Sequence, residues 1–244
     1  MGFIQQFISE LPIYLLSLPI VLLSLSVHEC CHGYAALKLG DPTARNLGRL
    51  TLNPIKHIDL IGFICMVLFH VGWASPVPIN TRYFKKPRRD MALSALAGPV
   101  SNVLLAVVFT GLLRLVLFLF LEFFPADASQ TLFNAAAFLI YMLYLGVVIN
   151  LGYAIFNLIP IPPLDGSRIA YVFLPPKWYF GIMRYERIIM LVMLFVLWTP
   201  PARAVLGALI SGIEHAVFAL FGMPQGSETY FWLVAIEQYI YSLF

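Results

Sequence analysis

Residues 11–40 read LPIYLLSLPIVLLSLSVHECCHGYAALKLG. Leu11 to Leu25 are almost all apolar, and His28, Glu29 and His32 then appear in the same run. A bilayer is spanned by about 20 apolar helical residues, so this stretch reads as a membrane helix. Ionisable groups inside such a helix are costly to bury, and their presence points to function. Histidines four apart share one helix face. With a glutamate after the first, the pattern is H-E-x-x-H, in which two imidazoles bind zinc and the carboxylate takes a proton from the activated water. Zinc lowers the pKa of such a water from about 15.7 to 7. A catalytic zinc takes three protein ligands and keeps a fourth position open, so one ligand must come from elsewhere.

The composition agrees with a membrane setting. Of 244 residues, 61% are hydrophobic and 11% charged, with a mean hydropathy of +0.87. Soluble domains average about 25% charged residues, so the chain is an integral membrane protein with the bilayer as its surroundings. The net charge of +3 is small, and the clustered basic residues speak for membrane orientation, with no nucleic-acid partner expected. Cys30, Cys31 and Cys65 lie in apolar segments and two are adjacent, which argues against a disulfide framework. The N-terminal run lacks a basic n-region and a small-residue cleavage site, so it is expected to be a retained span.

The apolar segments are 11–39, 58–73, 91–121, 132–160, 181–199 and 202–222, with a shorter apolar tail at 229–244. No repeat is evident. Connection 74–90 carries Arg82, Lys85, Lys86, Arg88 and Arg89, and connection 161–187 carries Arg168, Lys177, Arg184 and Arg187. Both are expected on the cytoplasmic side, and the acidic connection near 122–130 outside. Segment 58–73 is short. Reading it as re-entrant keeps Arg45, Arg49 and Lys56 cytoplasmic; reading it as spanning does not. Region 41–56, DPTARNLGRLTLNPIK, contains the breakers Asp41-Pro42 and Asn53-Pro54 and alternates over 44–52. A short hairpin or extended segment is expected there, enclosing a wet cavity, because irregular backbone at membrane depth must be buried or line water.

The third ligand should be an Asp, Glu, His or Cys at similar depth. Residues 157–166 read NLIPIPPLDG. Pro160, Pro162 and Pro163 must stop the preceding helix. An unwound chain there could turn Asp165 into the interior. A solvated Asp165 in a plain proline-rich exit loop is the other reading, and the residues alone do not choose between them.

HECCH at 28–32 together with NxxPxxPLDG at 157–166 resembles the site-2 protease family of intramembrane zinc metalloproteases. The resemblance extends to GDPTARNLGRLTLNPIKHID at 40–59, GWASPVP at 72–78 and LAGPVSN at 96–102, and covers residues 26–169. It implies one zinc per chain held by His28, His32 and Asp165, with Glu29 as general base. It implies that Asn157 helps hold the substrate or the tetrahedral intermediate. It also implies a site within the cell membrane, here of a prokaryote, reached by water from the cytoplasmic side, with a transmembrane protein as substrate. No PDZ-like or CBS-type domain is inserted, so the compact branch is the one resembled. By family analogy, the helices of 181–222 serve as a gate.

Other polar residues have weaker readings. His57 either lines the cavity and orients substrate or ties down the hairpin. His70 and His215 are expected to face the interior of a bundle, and Glu214 to make a helix-packing hydrogen bond. Gly98, with Ala97 and Ser101, should let its helix approach a neighbour closely; Asn102 lies on the same helix. Cys31 lies three residues after His28 and is expected to pack as a small hydrophobe. The expected architecture is thus an all-α polytopic membrane protein. It has about five or six transmembrane helices and a short re-entrant or β-hairpin segment near the active site. One domain, 1–244, would comprise a catalytic core (11–169), accessory helices (181–222) and the tail (229–244). Two other functions share intramembrane His and Asp residues: a metal-ion transporter, for which repeated halves would be expected, and a catalytically silent zinc-binding scaffold, which would not need Glu29.

Overall fold

The computed structural model of the chain describes residues 3–69, 72–125, 127–197 and 199–243. His70 therefore lies outside the described residues. The elements are helices α1 (Phe3–Lys38), α2 (Thr43–Asn46), α3 (Leu60–Phe69), α4 (Pro87–Phe123), α5 (Gln130–Asn157), α6 (Asp165–Ala170), α7 (Pro176–Met183), α8 (Glu186–Leu197), α9 (Pro200–Leu220) and α10 (Glu228–Ser242). Among the described residues there is no strand, and the all-α polytopic membrane architecture stands.

Helices α1, α4, α5 and α9 are long and apolar enough to cross a membrane. Segments 58–73, 181–199 and 229–244 supply instead α3 with 10 residues, α8 with 12 and α10 with 15. At 1.5 Å per residue, α3 is about 15 Å long, half the hydrocarbon thickness of about 30 Å. It does not span as a helix by itself. Along α4, Val100, Leu104, Val108, Leu112, Leu115 and Leu119 form an exposed stripe at a spacing of three and four. Such an apolar face suits lipid and no aqueous surroundings.

Helix α1 ends at Gly40, whose φ of 112° closes the turn and lets Asp41 N–H reach the Ala36 carbonyl at 2.9 Å. The expected hairpin over 41–56 gives way to local turns. Asp41 accepts from the backbone and hydroxyl of Thr43, starting α2, and Asn53 accepts from Ile55 N–H at 3.1 Å, starting a 3₁₀ turn at Pro54–Lys56. Short polar side chains that capture nearby N–H groups compete with a strand ladder. The antiparallel pairing falls one segment later, as a single bridge between Ile58 and Ala74.

Contacts within the chain gather into two compact units, 22–103 with 152–210, and 1–21 with 104–151 and 211–244. In the second, Phe109 packs where Gly146 leaves no side chain; a Cβ there would lie 2.6 Å from the Phe109 ring. Leu113, Leu117, Ile140, Tyr141, Phe218 and Ile240 are buried in the same unit. Glu214 is also buried in this unit, and His215 bonds the Tyr230 hydroxyl at 3.1 Å rather than a metal partner. The first unit carries the chemistry described next.

Candidate metal centre

His28 and His32 are both buried on α1, with ring centroids 4.5 Å apart. Each has its Nδ1 committed. His32 Nδ1 donates to the Ser94 carbonyl at 2.8 Å, and His28 Nδ1 to Asn102 Oδ1 at 2.5 Å. A carbonyl accepts and cannot donate, so Nδ1 keeps the proton and Nε2 keeps its lone pair, as in histidine ligands oriented by an outer partner. The two Nε2 atoms lie 3.0 Å apart.

Asp165 completes the triangle. Its Oδ2 lies 3.1 Å from His28 Nε2 and 3.0 Å from His32 Nε2. The local cause is the proline-broken end of α5. Beyond Asn157 the chain turns through Pro160, Pro162 and Pro163, and Asp165 becomes the first residue of α6. A Cβ on Gly166 would lie 2.6 Å from the backbone carbon of Ile159, with its oxygen and that of Leu158 nearer still. Glycine lets α6 start hard against the end of α5, which is what turns the preceding carboxylate inward. Burial pushes the Asp165 carboxyl up, but the two imidazoles reverse this and hold it well below the usual carboxylate range. It is therefore anionic.

Three lone-pair donors thus face one another at 3.0–3.1 Å. Without a cation that arrangement is repulsive. A tetrahedral ion with bonds of about 2.0–2.1 Å spaces its ligand atoms about 3.3 Å apart, close to this triangle. His28, His32 and Asp165 are the group able to hold a metal ion among the described residues, and two nitrogens with one carboxylate oxygen suit zinc.

Glu29 is buried beside them and one of its carboxylate oxygens accepts from Val77 N–H at 2.8 Å. Val77 lies in Ser75-Pro76-Val77-Pro78, where the two prolines leave only two backbone donors. Both are spent: Ser75 N–H goes to the His57 carbonyl and Val77 N–H to Glu29. The strap is itself held by Arg49, which donates to the Ser75 carbonyl at 2.7 Å, and by Asp41, which accepts from Asn80 N–H at 2.6 Å.

These residues line a cavity of about 320 Å³ that includes His28, Glu29, His32, Asn157 and Asp165. Asn157 is on its wall, with its amide donating to the Tyr153 carbonyl at 3.0 Å. His57 is absent from the wall. It is fully buried, its Nε2 bonds the Thr51 carbonyl at 2.8 Å, and it ties residues 51, 57 and 75 together. Its observed partners thus include backbone groups of residues 51 and 75.

Four contributors escape the sequence reading: Ser94, Val77, Asn102 and Gly98. Ser94 and Val77 act through backbone atoms, which have no side-chain signature. Asn102 and Gly98 were read mainly as helix packing. Gly98 does allow close approach, but to the metal-facing edge of the imidazoles: a Cβ there would lie 2.6 Å from His28 Cε1 and closer to His32. Gly98→Val is expected to displace both rings and strip zinc from the purified protein, measured by elemental analysis. Asn102→Ala should weaken zinc binding by about 10–100-fold, the usual cost of removing an outer hydrogen-bond partner, measured by competition with a metal-sensitive dye.

The chain is similar in sequence to known proteins. The profile of Peptidase family M50 matches residues 17–200. The chain is 38% identical to YwhC of Bacillus subtilis over 201 residues, 82% of this chain and 88% of that protein. It is 28% identical to Rip2 of Mycolicibacterium smegmatis over 79% of this chain and 70% of the relative. It is 29% identical to MJ0611 of Methanocaldococcus jannaschii over 45% of this chain and 49% of the relative. All three relatives carry provisional zinc metalloprotease names. No solved structure gives a significant match.

Proposed function

The chain belongs to peptidase family M50 and is a metalloprotease of the zinc type, and from that premise we propose that it cleaves a transmembrane protein substrate within or beside its membrane segment. The observation that carries the reading is the convergence of His28 Nε2, His32 Nε2 and Asp165 Oδ2 on one point beside α1, a helix able to span the bilayer. Those three residues would hold one zinc per chain. When bound, zinc lowers the pKa of its water to about 7 and polarises the scissile carbonyl.

The rest is the work of the chain's own side chains. Glu29, fixed by Val77 N–H, accepts the proton of the attacking water and passes it to the leaving amine. Ser94 and Asn102 hold the imidazoles in the tautomer that points Nε2 at the site. Asn157, on the cavity wall, is positioned to bond the substrate backbone. The cavity is walled largely by apolar residues such as Leu22, Phe63, Trp73 and Phe156, which suits an unwound segment of an apolar helix. Met190 of α8 also lines it, which supports a gating role for part of 181–222.

The basic connections at 74–90 and 161–187 support a multi-pass placement in the cell membrane with the site open to the cytoplasm. Residues 72–80 and 163–168 contribute to the cavity wall, in keeping with entry of water from that side. The test is metal removal. In proteoliposomes carrying a single-span substrate, a zinc chelator is expected to stop cleavage and added zinc to restore it. Cleavage that persists after complete chelation would overturn the reading.

A further inference from the structure

Resting on the protease reading of the cavity, we propose that Arg168 binds substrate, its guanidinium taking the carboxylate of an aspartate or glutamate side chain close to the scissile bond. Arg168 is part of the cavity wall together with Glu29, Asp59 and Asp165. Each of those three carboxylates already has a protein partner. Glu29 accepts from Val77 N–H, Asp59 from Gly62 N–H at the start of α3, and Asp165 faces the two imidazoles. The Arg168 side chain forms no ion pair and no hydrogen bond among the described residues. No carboxylate among the described residues lies within ion-pairing distance of its guanidinium.

A cation on the wall of a largely apolar cavity pairs with an anion or faces water. The planar guanidinium fork matches a carboxylate in a two-point bond, and a full negative charge answers it where a neutral peptide carbonyl does not. The placement sets where that anion lies. Arg168 follows Asp165 by three residues on α6, so the two side chains share a face with Cβ atoms about 5–6 Å apart. An extended peptide advances about 3.3 Å per residue. The acidic side chain therefore sits within a few residues of the bond that is cut.

The test uses full-length protein in lipid nanodiscs with a single-span substrate, in which Asp and Asn are exchanged at each position near the cleavage site. Wild type is expected to favour Asp over Asn at one position by about tenfold or more in kcat/KM. In Arg168→Gln that ratio should fall to about one, whatever the absolute rate, and in Arg168→Glu the preference should pass to Lys at the same position. No misfolding of a helix would transfer the preference in this way. Absence of any preference in wild type, or its survival in Arg168→Gln, overturns the proposal. Binding of the same peptides to Glu29→Gln protein separates this claim from the protease reading. Tighter binding of the Asp peptide without cleavage by wild type would leave the anion site standing and remove the protease; cleavage with no preference in either assay would do the reverse.

Discussion

Glu29→Gln is expected to cut cleavage of a transmembrane substrate by about 10²–10⁴-fold, the usual contribution of a positioned general base. Glutamine keeps the size of the side chain and an amide oxygen to accept from Val77 N–H, which lies 2.8 Å from the carboxylate. It lacks the basicity to take a proton from water. The triangle of His28, His32 and Asp165 does not include it, so zinc content should be that of the wild type. Cleavage by mass spectrometry and zinc by elemental analysis on the same sample check both halves. Full activity in this variant would remove Glu29 from the chemistry; loss of zinc would make it a ligand or a structural prop instead.

Asp165→Asn is expected to lose both zinc and activity. The substitution keeps the shape but removes the negative charge that lies against the two Nε2 atoms. An amide oxygen is a poorer zinc ligand than a carboxylate. The fall in zinc affinity should exceed the roughly 10–100-fold cost of losing an outer partner such as Asn102. Elemental analysis after dialysis gives the zinc content, and a thermal melt with and without added zinc checks that the fold survives. Wild-type zinc content in this variant would leave Asp165 outside the metal shell.

Much of this centre could be read from the chain. The i, i+4 spacing of His28 and His32 fixes their shared face once α1 is a helix, and the apolar run from Leu11 makes it one. The prolines at 160, 162 and 163 announce that α5 must end. They do not say which way the chain turns next, and Asp165 could have pointed to solvent. What decides is the contact of Gly166 with the carbonyls of Leu158 and Ile159, a tertiary fact with no local pattern beyond the glycine itself. The family resemblance supplied that answer where the residues did not.

The 41–56 region went differently. Its alternation over 44–52 looks like a strand, but Asp41 and Asn53 offer nearer partners for the backbone, and turns form. The strap that orients Glu29 is Ser75 to Pro78, where two prolines erase the donor pattern that a strand would need. Backbone groups such as the Ser94 carbonyl and Val77 N–H are chosen by position alone, so any residue type at those places would hide them from a sequence reading.

The central claim is that His28, His32 and Asp165 hold one zinc. Zinc K-edge X-ray absorption on the purified wild-type protein, with one equivalent of zinc, tests it most directly. The account predicts a first shell of nitrogen and oxygen only, at about 2.0–2.1 Å, with the outer-shell signature of two imidazoles. A sulfur shell at about 2.3 Å, placing Cys30 or Cys31 on the metal, or a shell without imidazole scattering, would contradict it.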